Sequence, residues 1–149
     1  MSFASLDRPG LLTAVRRLSA TDQHLQKVAE RYGPPPLWKR SATFGTLVHI
    51  ILEQQVSLDS AQATFDRLKR ACDGRVTADR VSKIDAGGLQ AIGFTRQKSR
   101  YAVSLARDVV RGEFRVGALR HVDDDEVRRR ITSRIGLGDW TADVFLLMA

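Results

Sequence analysis

The chain has 149 residues, 43% of them hydrophobic and 28% charged, with a formal net charge of +7 at pH 7. That length buries a sizeable core and that balance is globular, which excludes a disordered or low-complexity chain. The basic excess points to a polyanionic partner, nucleic acid first and an anionic membrane surface second. No segment approaches the roughly 20 apolar residues of a membrane span, and Arg16-Arg17 interrupts the apolar start of the chain where a signal peptide would continue. Cys72 is the only cysteine, so an internal disulfide and a four-cysteine zinc or iron–sulfur site are both excluded. We expect a cytoplasmic monomer, lying with the DNA if the source is bacterial, with no membrane partner.

Nearly every segment carries helical spacing. Leu11, Val15 and Leu18 share one helical face, and Thr21-Asp22 caps a second helix that runs to Tyr32. Gly33-Pro34-Pro35-Pro36 stops it, and Trp38 beyond reads as a packing anchor. Phe44, Leu47, Val48, Ile51 and Leu52 form the strongest apolar stripe, predicting the most buried helix. Ser57 caps the next, with Ala61, Phe65, Leu68 and Cys72 inward, Arg67, Lys69 and Arg70 on the wet side, and Gly74 as its stop. Cys72 on that stripe is expected to be an inert buried thiol.

Thr77 and Asp85 cap two short helices, the second closing at Gly93. Thr95 opens a long helix with Ala102, Leu105, Ala106 and Val109 inward, ended by Arg111-Gly112. Asp123 followed by Glu126 has the spacing of a capping box and starts the helix that leads to residue 134. No alternating run predicts a strand. The expectation is an all-α chain of about eight helices, taken as one domain over 1–149 with N-terminal helices in 10–36 and a core in 41–149. His24, His49 and His121 lack ligand spacing, Asp123-Asp124-Asp125 is explained by helix capping, and Arg128-Arg129-Arg130 reads as a solvated face.

The most informative segment is Ile135-Gly136-Leu137-Gly138-Asp139-Trp140-Thr141-Ala142. Two glycines around one apolar residue make a tight hairpin between helices, and they let a foreign backbone approach closely. The helix that follows offers unpaired N–H groups and the positive end of its dipole, which suits a phosphate oxygen. The unit is a helix–hairpin–helix grip for a DNA backbone. The closing residues 142–149 form an apolar helix with no C-cap, basic last turn or glycine, and we expect the chain to be a fragment whose C-terminal part is missing.

The hairpin resembles that of the helix-hairpin-helix DNA glycosylases, and Ile50-Ile51-Leu52-Glu53-Gln54-Gln55-Val56-Ser57 is similar to a signature of their 3-methyladenine DNA glycosylase II branch. Ile92-Gly93-Phe94 and Lys98-Ser99-Arg100 resemble the intervening helices. The resemblance implies a base-excision repair enzyme that flips alkylated purines out of double-stranded DNA and hydrolyses their N-glycosidic bond. It implies that backbone N–H groups of Gly136, Gly138 and Thr141 hold a phosphate. Main-chain carbonyls of Thr132, Arg134 and Leu137 would bind a structural potassium or sodium ion, with no other cofactor required. Gln54 or Gln55 would fill the gap left by the flipped base, and Trp140 would wall the base pocket.

Trp140 also stands where lyase-active relatives carry a nucleophilic lysine, which implies a monofunctional enzyme that uses water. The family's catalytic aspartate is expected beyond Ala149, so no catalytic residue is assigned within the chain; Asp139 and Asp143 do not correspond to it. The competing reading is a non-catalytic helix-hairpin-helix module that only binds DNA.

Overall fold

The computed structural model describes residues 6–149, and among these it is helical throughout, with nine α-helices, one 3-10 helix and no strand. The chain forms two compact units, Met1–Lys39 and Arg40–Ala149.

The first unit is a helical hairpin of α1 (Arg8–Thr21) and α2 (Gln23–Tyr32). The Asp7 carboxylate caps α1 by accepting from the Gly10 N–H at 2.8 Å, and Asp22 caps α2 from the His24 and Leu25 N–H groups. Gly33, at φ 76°, closes α2 before the prolines. Neither helix contains a buried residue, and Leu18 and Val28 are exposed. Trp38 is 58% exposed and does not anchor packing as its size suggested.

The second unit is organised around α3 (Phe44–Glu53), in which every residue but His49 is buried. Leu47, Val48 and Ile51 of the stripe read from the sequence are sealed from water, and so is Ile50, which lay outside it, each worth about 1.5–3 kcal/mol of transfer free energy. Helix α3 packs against α4 (Leu58–Ala71), α7 (Arg96–Val110) and α9 (Asp139–Met148). The short helices α5 (Ala78–Val81) and α6 (Ala86–Ala91) lean on α7, and α8 (Asp124–Thr132) pairs with α9 through the hairpin. The caps at Ser57, Thr77, Asp85, Thr95 and Asp123 all accept the expected N–H. Gly74, at φ 84°, follows α4 as its stop, and Cys72 is buried.

Four further points depart from the sequence reading. The 3-10 helix Val116–His121 lacks a side-chain cap and was not read from the sequence. On α4 Arg67 is not on the wet side: its Nε donates to the Ile92 carbonyl at 2.6 Å and Nη2 to Thr64 Oγ1. Thr64 is buried where Phe65 was expected, and Phe65 is half-buried, stacked on His49 with ring centroids 4.3 Å apart. At α8 the capping box is one-sided, because the Glu126 carboxylate turns forward to Arg129 and Arg130, whose hydrogen bonds hold its pKa down to about 2.

The His49–Phe65 stack makes a pH prediction. Burial, aided by the charge of Arg40, lowers the His49 pKa, and Glu53 and Asp66 only partly oppose this. The folded state thus holds fewer protons than the unfolded chain between the depressed pKa and the unperturbed value of 6.5, and stability rises with pH across that window. Urea unfolding should show stability falling on acidification below about pH 7, less steeply in His49→Gln. Equal slopes in both proteins would remove His49 as the cause.

Candidate nucleic-acid interface

The hairpin is built from both sides. Val127 and Ile131 bury the inner face of α8, and Leu137, 2% exposed, plugs the turn between α8 and α9. Gly136 bends the chain at φ 79°, a conformation that favours glycine. Its backbone lies flat against the Tyr101 ring of α7, so close that a Cβ would fall within 2.4 Å of three ring carbons. Gly138 is different: its backbone is extended, and a Cβ there meets nothing within 4 Å. No internal contact or dihedral explains the second glycine. An approaching external group would.

Gly138 is the N-cap of α9 and supplies no side-chain hydrogen bond. Among the described residues the N–H groups of Gly136, Gly138, Asp139, Trp140 and Thr141 make no hydrogen bond, the first of the helix running from Ala142 to the Gly138 carbonyl. These donors and the helix dipole converge on one open end. Thr141 itself is 1% exposed, its hydroxyl accepting from Gln54 Nε2.

A cleft of about 500 Å³ opens beside this end, lined by Gln54, Gln55, Gln97, Tyr101, Gly136, Gly138, Trp140 and Thr141. Six of the candidate residues from the sequence thus share one cavity. Trp140 is 51% exposed with its ring available for stacking. Gln55 is exposed at φ 56°, just past the end of α3. Gln54 is half-buried, and its Nε2 donates to the Gly136 carbonyl at 3.0 Å and to Thr141 Oγ1 at 3.1 Å. Gln97 and Tyr101, which the sequence reading passed over, face the cleft from α7, the Gln97 amide donating to the Tyr101 hydroxyl. Their four-residue spacing was readable as one helical face; that the hairpin packs on that face was not.

Thr132, Arg134 and Leu137 lie at the end of α8 and in the turn, outside the cleft lining. Among the described residues the Thr132 and Leu137 carbonyls accept no hydrogen bond, while that of Arg134 accepts from the Leu137 N–H at 3.2 Å. Free carbonyl oxygens are suitable donors for a hard cation. Each arginine of the α8 run is ion-paired within the chain: Arg128 with Asp143, and Arg129 and Arg130 with the one carboxylate of Glu126. No carboxylate and no lysine lines the cleft. Lys98 is close in sequence but buried, its Nζ donating to the Leu52 carbonyl at 2.7 Å.

Comparison with known proteins agrees with this geometry. Residues 48–144 match the family model of the HhH-GPD superfamily of base excision DNA repair proteins. The chain is 23% identical over 145 residues to DNA-3-methyladenine glycosylase 1 of Schizosaccharomyces pombe, covering 93% of this chain and 64% of that protein. It is 28% identical over 113 residues to endonuclease III of Sulfolobus acidocaldarius, covering 73% of this chain and 48% of the relative.

Among solved structures, the DNA-3-methyladenine glycosidase of Bacillus halodurans superposes with a TM-score of 0.74 at 25% identity, covering 100% of this chain and 67% of that one. The Schizosaccharomyces pombe 3-methyladenine DNA glycosylase in complex with abasic DNA gives a TM-score of 0.79 at 23% identity, covering 90% and 68%. The chain spans 48% to 64% of the length of the curated relatives it matches. A helix–Gly-x-Gly–helix unit joined to a Gln-Gln helix end, within a matching all-helical frame, makes this chain a member of the HhH-GPD superfamily of base excision DNA repair proteins.

Proposed function

We propose that the chain grips double-stranded DNA in a base-excision repair glycosylase that acts on alkylated purines. The observation that carries this reading is the single cleft where the open N-terminus of α9, the exposed Gln55 and the exposed Trp140 ring meet. Gly136, Gly138 and Thr141 offer N–H groups to a phosphate near the lesion. Gln55 enters the stack where the damaged base leaves, and Trp140 receives the extruded base, its π face suited to electron-poor methylated purines. Carbonyls of Thr132, Arg134 and Leu137 would hold a potassium or sodium ion that braces the turn. Hydrolysis of the glycosidic bond by water needs no further cofactor.

The reaction is monofunctional in this reading, since no cleft residue carries an amine able to form a Schiff base. Borohydride added during reaction with abasic DNA should trap no protein–DNA adduct. We place the protein in the cytoplasm with the DNA, as a monomer.

The decisive assay is release of free methylated base from alkylated duplex DNA, run with these 149 residues and with the longest polypeptide the gene encodes. Release by either supports the enzyme. DNA binding without release by either favours the competing reading, a non-catalytic binding module, which draws its support from the absence of a carboxylate in the cleft lining. Binding in both readings is to phosphates, so affinity should fall at least about tenfold between about 50 and 200 mM salt. A flat response would count against the hairpin grip itself.

A further inference from the structure

Just beyond the C-cap of α3 stands an exposed residue in an unusual conformation: Gln55, at φ 56°, lies in the left-handed region that non-glycine residues seldom occupy. The three residues before it are each tied to a different distant part of the chain. The Leu52 carbonyl accepts from Lys98 Nζ of α7 at 2.7 Å. The Glu53 carboxylate accepts two hydrogen bonds from the Arg40 guanidinium, at 2.6 and 3.1 Å, and the Arg40 N–H in turn donates to the Met148 carbonyl at the end of α9. Gln54 Nε2 bonds the Gly136 carbonyl and the Thr141 hydroxyl.

Each tie does a different job. Lys98 satisfies a terminal carbonyl of α3, Glu53 reaches the far end of α9, and Gln54 reaches its near end. An amide nitrogen carries two hydrogens, and Gln54 has an acceptor for each. A side chain so committed would have to break both bonds to enter a base stack. Its neighbour Gln55, by contrast, is exposed and lines the same cleft. Both groups that Gln54 holds belong to the residues assigned to the phosphate.

We propose that Gln54 is a positioning residue and not an intercalating one: by bonding Gly136 and Thr141, it fixes the spacing between the phosphate grip and Gln55, so that seating a phosphate aims Gln55 at the stack. This rests on the reading that the hairpin holds a phosphate and that Gln55 fills the gap in the stack. Gln54 thereby converts two DNA contacts into one rigid gauge. The Thr141 hydroxyl, buried and out of reach of DNA, is the other half of the same device.

The test uses a duplex with an abasic analogue flanked by 2-aminopurine, whose fluorescence rises when it is unstacked. Fluorescence is read at saturating protein, so that affinity drops out; the dissociation constant and the melting temperature are measured beside it. Gln54→Met keeps the length and removes the donor, and Thr141→Val keeps the shape and the N–H but removes the hydroxyl.

Gln55→Ala should abolish the fluorescence rise at saturating protein, whatever it does to affinity. Gln54→Met should cut the rise by at least about half with Gln55 still present, and Thr141→Val should act in the same direction. The double variant should do no more than Gln54→Met alone, because the two act through one bond. A full rise with Gln54→Met and none with Gln55→Ala overturns the positioning role and leaves the Gln55 reading standing. Fully additive losses in the double variant also overturn it. Tight binding by the unaltered protein with no rise at all overturns both. Should Gln54→Met fail to fold, Thr141→Val carries the same comparison.

Discussion

Gly136→Ala should cost the second unit about 2–5 kcal/mol of stability, while Gly138→Ala should change its stability little and weaken DNA binding. The two glycines of the hairpin are alike in sequence and opposite in physics. At Gly136 the added methyl meets Tyr101 Cγ, Cδ2 and Cδ1 at 2.2, 2.3 and 2.4 Å, and φ is 79°. The left-handed conformation costs an L-residue about 1–2 kcal/mol, and forcing a methyl into a filled contact costs about 1–3 kcal/mol more. The sum is a large share of the 5–15 kcal/mol that holds a typical domain together. Tyr101→Ala in the same chain would relieve the clash but not the dihedral, so it should recover only part of the loss.

At Gly138 the backbone is already extended and the methyl enters open space, so only the N-cap preference for glycine over alanine is lost, about 0.5–1 kcal/mol. If a phosphate oxygen sits against this N–H, however, the methyl stands beside it, and affinity should fall about tenfold, some 1.4 kcal/mol. Urea unfolding and fluorescence anisotropy on one pair of variants separate the two effects. Unchanged DNA affinity in a fully folded Gly138→Ala protein would mean that the phosphate is held elsewhere.

What could be read in advance divides along sequence separation. Ser57, Thr95 and Asp85 cap their helices through a backbone N–H three residues away, and the stripe of α3 needs only the helical period. Such signals are local, so they survive in the bare sequence. Arg67 was misread because its partner, the Ile92 carbonyl, lies 25 residues on. Gln54 was read as an interchangeable twin of Gln55 because its partner, the Gly136 carbonyl, lies 82 residues on. The Gly-x-Gly spacing announced the hairpin; only the packing of α7 tells which glycine answers to Tyr101 and which to the outside. The 3-10 helix at Val116–His121 gave no sign because it has neither a capping side chain nor enough turns to show a period.

The second large effect is expected at Arg40. The Glu53 side chain is 5% exposed and its two oxygens both accept from Arg40, whose own side chain is 26% exposed. Arg40→Met keeps most of the bulk but leaves a carboxylate in a dry site with no matching charge. Stranding one half of a buried pair costs about 3–5 kcal/mol, and partial access of water at Arg40 places the expected loss near the lower bound.

Replacing both partners, as Arg40→Met with Glu53→Leu, should restore most of the stability, because the loss comes from the stranded charge and not from a missing attraction. The same substitution changes the titration of His49, whose Nε2 is 3.7 Å from Glu53 Oε1. Arg40 lowers the His49 pKa and Glu53 raises it, so removing the arginine leaves the carboxylate to favour the imidazolium. Arg40→Met should therefore lose less stability on acidification below about pH 6.5 than the unaltered protein does. A steeper acid loss in the variant would overturn the assignment of the acid response to His49.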